Sequence, residues 1–480
     1  MVKLMNNLKF KNNLLFILLL ISIASLTACT VGPDYNKVTF EFPENFKETA
    51  DNKWKKADPK DDHDKGKWWE IFQDPVLNKL EEQLNISNQN IAAAMSQYDQ
   101  AQALLGQSVS GYFPNVSGSG GATRQRSSAT SVSPATESTG MNGTLSATWV
   151  PDLWGSVRRN VEASKAGAEA SAAQLANVKL TAQASLAQYY FQILSADNDQ
   201  KLLDDTTENY KKELEIVEQR KSAGTASESD YAQAATQYEQ AQALALDNKI
   251  TRAQYEHAMA VLLGNTPSEF YLEAKQAKLI PPDVPLVLPS ELLERRPDVA
   301  QAERLVEQAN AQIGVAIAAY FPNFNITANG GYSSSTFANL FNLPALFWSL
   351  GGNLTETLFD GGLRGAKVDA AKANYKALAA QYKQTVLSAF QNVEDNLAAT
   401  RILKEEEEFQ KNAAAHAQTV ENLITHGYEV GTNTYSDVIN AQTTSFTAQK
   451  TVNGISAKRM ASTVNLIAAL GGSWQKEEKK

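Results

Sequence analysis

Met141-Asn142-Gly143-Thr144-Leu145-Ser146-Ala147-Thr148-Trp149 alternates, residue by residue, between apolar or small side chains and uncharged polar ones. Successive side chains of a strand point to opposite faces, so this run predicts a strand with Leu145 and Trp149 on one face and Asn142 and Thr148 on the other. Neither row carries a charge. Alternation over about ten residues is the pattern of an outer-membrane strand, apolar toward lipid and polar toward a lumen. A soluble hairpin with one wet face has the same period. The uncharged Asn, Thr and Ser rows and the long Ser/Thr-rich loop from Arg124 to Gly140 suit a barrel better.

Three more segments extend the pattern. Phe324, Ile326, Ala328 and Tyr332 alternate with Asn325, Thr327 and Asn329, and Trp348, Leu350 and Leu354 alternate with Ser349, Asn353 and Thr355. A weaker, Gly/Ser-rich strand starts at Val116. The expected strands cover about 113–126, 140–150, 321–334 and 346–359. Tyr112, Phe113, Trp149, Tyr320, Phe321, Tyr332, Phe347 and Phe359 lie near strand ends, where an aromatic girdle belongs. Four strands are too few to close a membrane barrel, for which about eight is the smallest number, and open edges cannot sit in lipid. If these strands span a membrane, copies of the chain must share one barrel.

The strands come in pairs because the chain is written twice. Tyr112-Phe113-Pro114-Asn115 recurs as Tyr320-Phe321-Pro322-Asn323, an offset of 208 (320 − 112). Asp152 matches Asp360 at that offset, while Gly224-Thr225 matches Gly431-Thr432 and Leu263-Gly264 matches Leu470-Gly471 at 207 (431 − 224). A period this long marks a duplicated half-protein rather than a solenoid. The first repeat covers 68–279 and the second 290–472, joined by a proline-rich connector at 280–289; a polar tail follows at 473–480. Between Asp152 and Thr266, and from Ala345 to the end, there is no proline. Both stretches are rich in Ala, Gln, Glu, Lys and Leu, which predicts long helices with coiled-coil-like packing. Ser227-x-x-Asp230 and Thr434-x-x-Asp437 resemble capping boxes, and Gly224 and Gly431 suit the residue just past a helix end.

Lys3, Lys9 and Lys11 precede the apolar run Leu14–Ile21. That is a secretory signal, expected at 1–28, and the run is too short for the roughly 20 apolar residues of a spanning helix. The signal ends in Leu26-Thr27-Ala28-Cys29, and Cys29 is the only cysteine, so an intramolecular disulfide is excluded. The segment 29–67 reads as an extended, polar strap.

A formal net charge of −9 argues against a nucleic-acid partner. His63, His257, His416 and His426 lack ligand spacing, and no nucleotide-binding or nucleophile motif is present, so neither a metal cofactor nor an enzyme is expected. Glu405-Glu406-Glu407-Glu408 reads as a solvated helix face.

Several motifs together resemble those of TolC-like outer-membrane efflux proteins, specifically the lipidated branch that serves RND-type pumps. They are Leu26-Thr27-Ala28-Cys29 with Gly32-Pro33-Asp34-Tyr35, Trp68-Trp69-x-x-Phe72-x-Asp74-Pro75, Glu294-Arg295-Arg296-Pro297-Asp298 running into Tyr320-Phe321-Pro322, Leu358-Phe359-Asp360-Gly361-Gly362, and Leu470-Gly471-Gly472. The resemblance implies an α+β membrane protein built from an internal duplication. In it a homotrimer forms a twelve-stranded β-barrel, four strands per chain, continued by a long α-helical periplasmic tunnel. It implies diacylglycerol and an N-acyl chain on Cys29, anchorage in outer-membrane lipid, and, as partners, a periplasmic adaptor and an inner-membrane RND-type pump. The implied function is passive conduction of small toxic solutes, drugs or metal ions, to the exterior. The alternative is a helical outer-membrane lipoprotein scaffold without a pore. The family's periplasmic gate maps onto the turns at 220–230 and 428–440, and so onto Asp230, Tyr428, Ser436, Asp437 and Asn440. At Asn440 most members carry an acidic residue, and this chain carries an amide.

Overall fold

The computed structural model describes residues 30–37, 66–129, 134–282, 284 and 296–472. Cys29, the signal at 1–28, most of the strap, part of the connector and the tail at 473–480 lie outside the described residues.

The described elements are α1 (Pro75–Ser87), α2 (Gln89–Ser110), β1 (Asn115–Arg126), β2 (Glu137–Trp149), α3 (Ser156–Ser222), α4 (Glu228–Leu262), α5 (Pro297–Ala318), β3 (Asn323–Ser334), β4 (Leu346–Thr355), α6 (Leu363–Glu429) and α7 (Tyr435–Ala469). The duplication appears in their lengths. Helices α3 and α6 have 67 residues each, α4 and α7 have 35 each, and α2 and α5 have 22 each. At a rise of 1.5 Å per residue, α3 and α6 are each about 100 Å long.

The chain divides into two compact units. Among the described residues, one comprises 30–37, 98–129, 134–171 and 302–382, and the other 66–97, 172–282, 284, 296–301 and 383–472. The first holds a single antiparallel sheet in the order β1-β2-β3-β4, so β1 and β4 are its edges. Two strand ends differ from expectation by more than two residues. Strand β2 starts at Glu137, which forms a cross-strand ion pair with Arg124 at 2.9 Å, and the pair extends the ladder. Strand β4 ends at Thr355, short of Phe359, because Arg364 gathers both Glu356 (3.0 Å) and Asp360 (2.6 Å) and turns the chain into α6.

In the second unit, Trp68, Leu77, Leu84, Leu186, Tyr190, Ile193 and Met259 form a buried core. Asp74 starts α1 by accepting hydrogen bonds from the backbone amides of Val76 (2.8 Å) and Leu77 (3.2 Å), with Pro75 at the first helical position. At equivalent places in the two halves, Asn88 and Arg296 each donate to the last carbonyl of a return helix. Asn88 reaches the Leu262 oxygen at 2.7 Å, and Arg296 the Ala469 oxygen at 2.8 Å. Arg296 is held for this by Asp298, at 2.7 and 3.0 Å.

The four-glutamate run is not uniformly solvated. Glu405, Glu406 and Glu408 are exposed, but Glu407 is buried. It pairs with Arg459 and accepts from Ser456 at 2.9 Å and Lys411 at 3.0 Å. A buried carboxylate persists only when its charge and lone pairs are met, and α7 supplies Arg459 and Ser456.

Candidate functional site

The two helix hairpins, α3–α4 and α6–α7, turn by one local mechanism. Two residues past the end of α3, Gly224 holds φ at +76°, and two past α6, Gly431 holds +84°, backbone that a side chain would strain. Thr225 N–H returns to the Arg220 carbonyl, and Thr432 N–H to the Gly427 carbonyl, both at 2.8 Å. The next helix then opens with a capping box. Asp230 and Ser227 exchange hydrogen bonds at 3.0 Å each. Asp437 accepts from the Thr434 amide (2.9 Å) and hydroxyl (2.7 Å) and donates its own amide to that hydroxyl (3.3 Å). These bonds hold the Asp437 carboxyl below the usual carboxylate range.

The positions mapped onto the gate separate into two environments. Ser436, Asp437 and Asn440 are exposed on the first turns of α7, and Asp230 is half-buried in its cap. Tyr428 instead joins a small core of Val217, Ala234, Tyr435 and Val438. Its ring lies 5.4 Å from that of Tyr435, and the Arg220 guanidinium sits 4.8 Å over it, so the ring ties one hairpin to the other. Among the described residues the Tyr428 hydroxyl has no partner. The sequence mapping missed Arg220 and Tyr435 as partners of Tyr428. A signal existed: buried Tyr435, Val438, Gln442 and Ser445 recur at three- and four-residue intervals, the seam of a coiled coil.

One rung further along that seam, the Gln442 amide donates to Glu213 and its oxygen accepts from Gln237 at 3.2 Å. Burial pushes the Glu213 carboxyl up to about 7, the nearby Glu421 carboxylate adds to this, and the Gln442 hydrogen bond opposes it. Sequence reading gave no sign of this cluster.

In the sheet, cross-strand partners share a face, and the register sorts the side chains, with Phe347, opposite Gly331, the one large apolar side chain in the polar row of the described strands. Thr148 stands opposite Thr327, Ser146 opposite Asn329, and Asn325 opposite Asn353. Asn142 lies in the same polar set, two-residue steps from Ser146 along β2. The other face carries Leu145 opposite Gly330, Ala328 opposite Leu350, and Phe324 opposite Leu354. Trp348, Leu350 and Leu354 are exposed on that face. The strands have 12, 13, 12 and 10 residues, enough for the 9–11 or so that a tilted membrane strand needs. Tyr112, Phe113, Trp149, Tyr320 and Phe321 gather at the end nearest the helices, and Tyr332 and Phe347 at the other.

The strap residues 30–37 dock in the same unit. The Arg159 side chain, 4% exposed, donates to the carbonyls of Val31 and Gly32 (3.2 Å each) and to the carboxylates of Asp34 (2.7 Å) and Glu162 (2.8 Å). Asn310 donates to the Pro33 carbonyl at 3.0 Å and Tyr35 to Glu303 at 2.9 Å. Among the described residues no helix is long and apolar enough to cross a membrane, and no group of three His, Cys, Asp or Glu residues could hold a metal.

The family model described as Outer membrane efflux protein matches residues 80–265 and 288–472. The toluene efflux pump outer membrane protein TtgC of Pseudomonas putida is 31% identical over 418 residues, covering 85% of this chain and 86% of that protein. The pyoverdine export outer membrane protein OpmQ of Pseudomonas aeruginosa is 29% identical over 444 residues, covering 89% and 92%. Among solved structures, the outer-membrane channel OprN superposes with a TM-score of 0.84 at 26% identity, covering 93% of this chain and 100% of that one.

Proposed function

The chain belongs to the outer membrane efflux protein family and is the outer-membrane channel of an efflux system, and from that premise we propose how its strands and hairpins are used. Three copies pair β1 of one with β4 of the next, closing a twelve-stranded barrel whose lumen is lined by the Asn142, Thr148, Asn325 and Asn353 face. The helix hairpins of the three copies form the tunnel across the periplasm. The observation that supports this best is the register: one uncharged polar face, and one face that is apolar up to Arg124, Arg126 and Glu137 at the loop end, on a sheet with two open edges. In lipid such edges must be paired, and four strands are too few to pair their own.

Solutes pass down the barrel without being selected in it. The relatives are named for cargoes as different as toluene and pyoverdine, and the polar face offers only uncharged hydroxyls and amides. Selection and energy come from an inner-membrane RND-type pump, reached through a periplasmic adaptor at the hairpin turns. Asp437, Ser436, Asn440, Asp230 and Tyr428 form the gate at those turns. Cys29 carries the diacylglycerol and N-acyl anchor, and the docked strap fixes where that anchor enters the membrane. A scaffold without a pore is the rival, and a scaffold has no use for the polar face. Purified protein in planar bilayers tests the reading. Discrete conductance steps from a detergent-stable trimer are expected; a monomer, or silence in the bilayer, overturns it.

A further inference from the structure

The two hairpin loops differ in chemistry. The loop between β1 and β2 is mostly Ser and Thr, with Arg124, Arg126 and Glu137 at its base. From Asn323 to Thr355 the second hairpin has no charged residue at all. Its loop carries Phe337, Leu340, Phe341 and Leu343. Phe337 is 70% exposed, Phe341 69% and Leu343 82%. A loop meant for water does not present three large apolar side chains side by side.

The geometry says which way this loop faces. Tyr332 lies on the apolar face of the sheet, opposite Leu346 and Gly143. The Phe341 ring packs edge-on against Tyr332 at 5.8 Å, and Phe337 against Phe341 at 6.5 Å. The aromatic row therefore continues the apolar face past the strand ends and turns away from the polar one. Part of the loop backbone is satisfied from within. Two 3-10 turns, Phe337–Asn339 and Leu343–Ala345, satisfy the amides of Asn339, Leu340, Asn342 and Ala345 inside the loop, and the Asn342 side chain donates to the Asn339 side chain at 3.1 Å. Backbone groups left open would be costly in hydrocarbon, and the remaining amides of the loop fit the hydrated head-group boundary instead.

We infer that the β3–β4 loop is a lipid-seated anchor: Phe337, Phe341 and Leu343 insert at the boundary of head groups and acyl chains in the outer leaflet, on the outside of the barrel. Aromatic side chains favour that boundary. The charge-free second hairpin is thus held in lipid over its whole length, while the first hairpin ends in water.

This rests on the barrel reading, and the test separates the two. Spin labels are placed by Phe337→Cys, Phe341→Cys, Leu354→Cys and Ser128→Cys in the full chain. Each variant is reconstituted in phosphatidylcholine vesicles, with the unsubstituted chain as the blank for Cys29. Oxygen reports lipid and a nickel chelate reports water. Labels at 337 and 341 should collide several-fold more with oxygen than with nickel, as at 354, with the reverse at 128. A nickel-dominated pattern at 337 and 341 overturns the anchor and leaves a loop in water. Low collision with both reagents also overturns it, in favour of packing against another copy. If Leu354→Cys itself lacks the oxygen pattern, the barrel reading is what falls.

Discussion

Gly32 lies against Gly314 so closely that a Cβ on Gly32 would stand 2.5 Å from the Gly314 Cα, and Gly32 holds φ at +94°. Gly32 thus leaves room for the Gly314 backbone, while a Cβ on Gly314 would stand 2.8 Å from Cγ of Arg159, the side chain that holds the strap. Gly32→Ala adds a left-handed strain of about 1–2 kcal/mol and a backbone clash on top of it. Trypsin should then cut after Lys37 faster in folded Gly32→Ala than in the parent. Radiolabelled fatty acid should still enter Gly32→Ala and should be lost in Cys29→Ser. Equal trypsin rates would mean the strap is held elsewhere, and equal labelling of Cys29→Ser would remove Cys29 as the anchor.

The two faces of the sheet should answer differently to a charge. Leu145 and Leu354 lie on the apolar face, and Thr148 on the polar one. Arginine at Leu145 or Leu354 should hinder insertion, at about 2–4 kcal/mol near the membrane midplane, while Thr148→Arg should insert and alter conductance. Heat-resistant trimer in isolated outer membranes is the readout. The same yield from all three variants would contradict a lipid face and a lumen face.

How much of this was legible follows from how local each signal is. The alternation at Met141–Trp149 fixes its own face assignment, and the register of β2 against β3 agrees with it. The capping residues Ser227, Asp230, Thr434 and Asp437 act on their own helix starts, so their spacing suffices. Arg159 was not legible, because its partners Val31, Gly32 and Asp34 lie more than 120 positions earlier. Asn88 and Arg296 perform one task with unrelated side chains, so the repeat hides their equivalence. Glu407 was misread because three of its neighbours in the run do face solvent, and only packing against α7 distinguishes it.

At the hairpin turns, capping and gating can be separated by changing charge without removing the acceptor. Asp437→Asn keeps an oxygen for Thr434 and loses the charge, whereas Asp437→Ala loses both. Within one chain Asp437 is held ionised by Thr434. Three copies around an axis would add mutual repulsion, which multivalent cations relieve. Block by such cations from the periplasmic side should weaken in Asp437→Asn trimers. Unchanged block would leave Asp437 a cap alone. Tyr428→Phe keeps the stacking on Tyr435 and under Arg220, so any rise in open probability reports the hydroxyl; a hydrogen bond to a neighbouring copy would contribute about 0.5–1.5 kcal/mol. No change there would assign Tyr428 to packing only.

Glu213 sets the pH dependence of the same coil. Its carboxyl, about 7 when packed against an ordinary 4.5, keeps its proton in the closed seam over a range where an exposed glutamate has lost it. A raised carboxyl stabilises the packed state fully below about 4.5, and the contribution erodes as pH climbs toward 7. The shift would correspond to about 3 kcal/mol for a fully shielded group; Glu213 is only half-buried, so about 1–2 kcal/mol is the realistic scale. The groups facing it are Gln442, Gln237, Tyr210, Tyr435 and Glu421, and of these Glu421 repels the ionised form. Glu81, Asp199 and Glu307 are also pushed up by desolvation, so melting of the parent mixes their contributions with that of Glu213. The difference between parent and Glu213→Gln isolates Glu213, since glutamine mimics the protonated side chain. Between pH 5 and 7.5 the parent should lose more thermal stability than Glu213→Gln, and its open probability in bilayers should rise more steeply. Parallel melting and gating curves for the two proteins would show that Glu213 is already ionised in the packed seam and that Gln442 alone satisfies it.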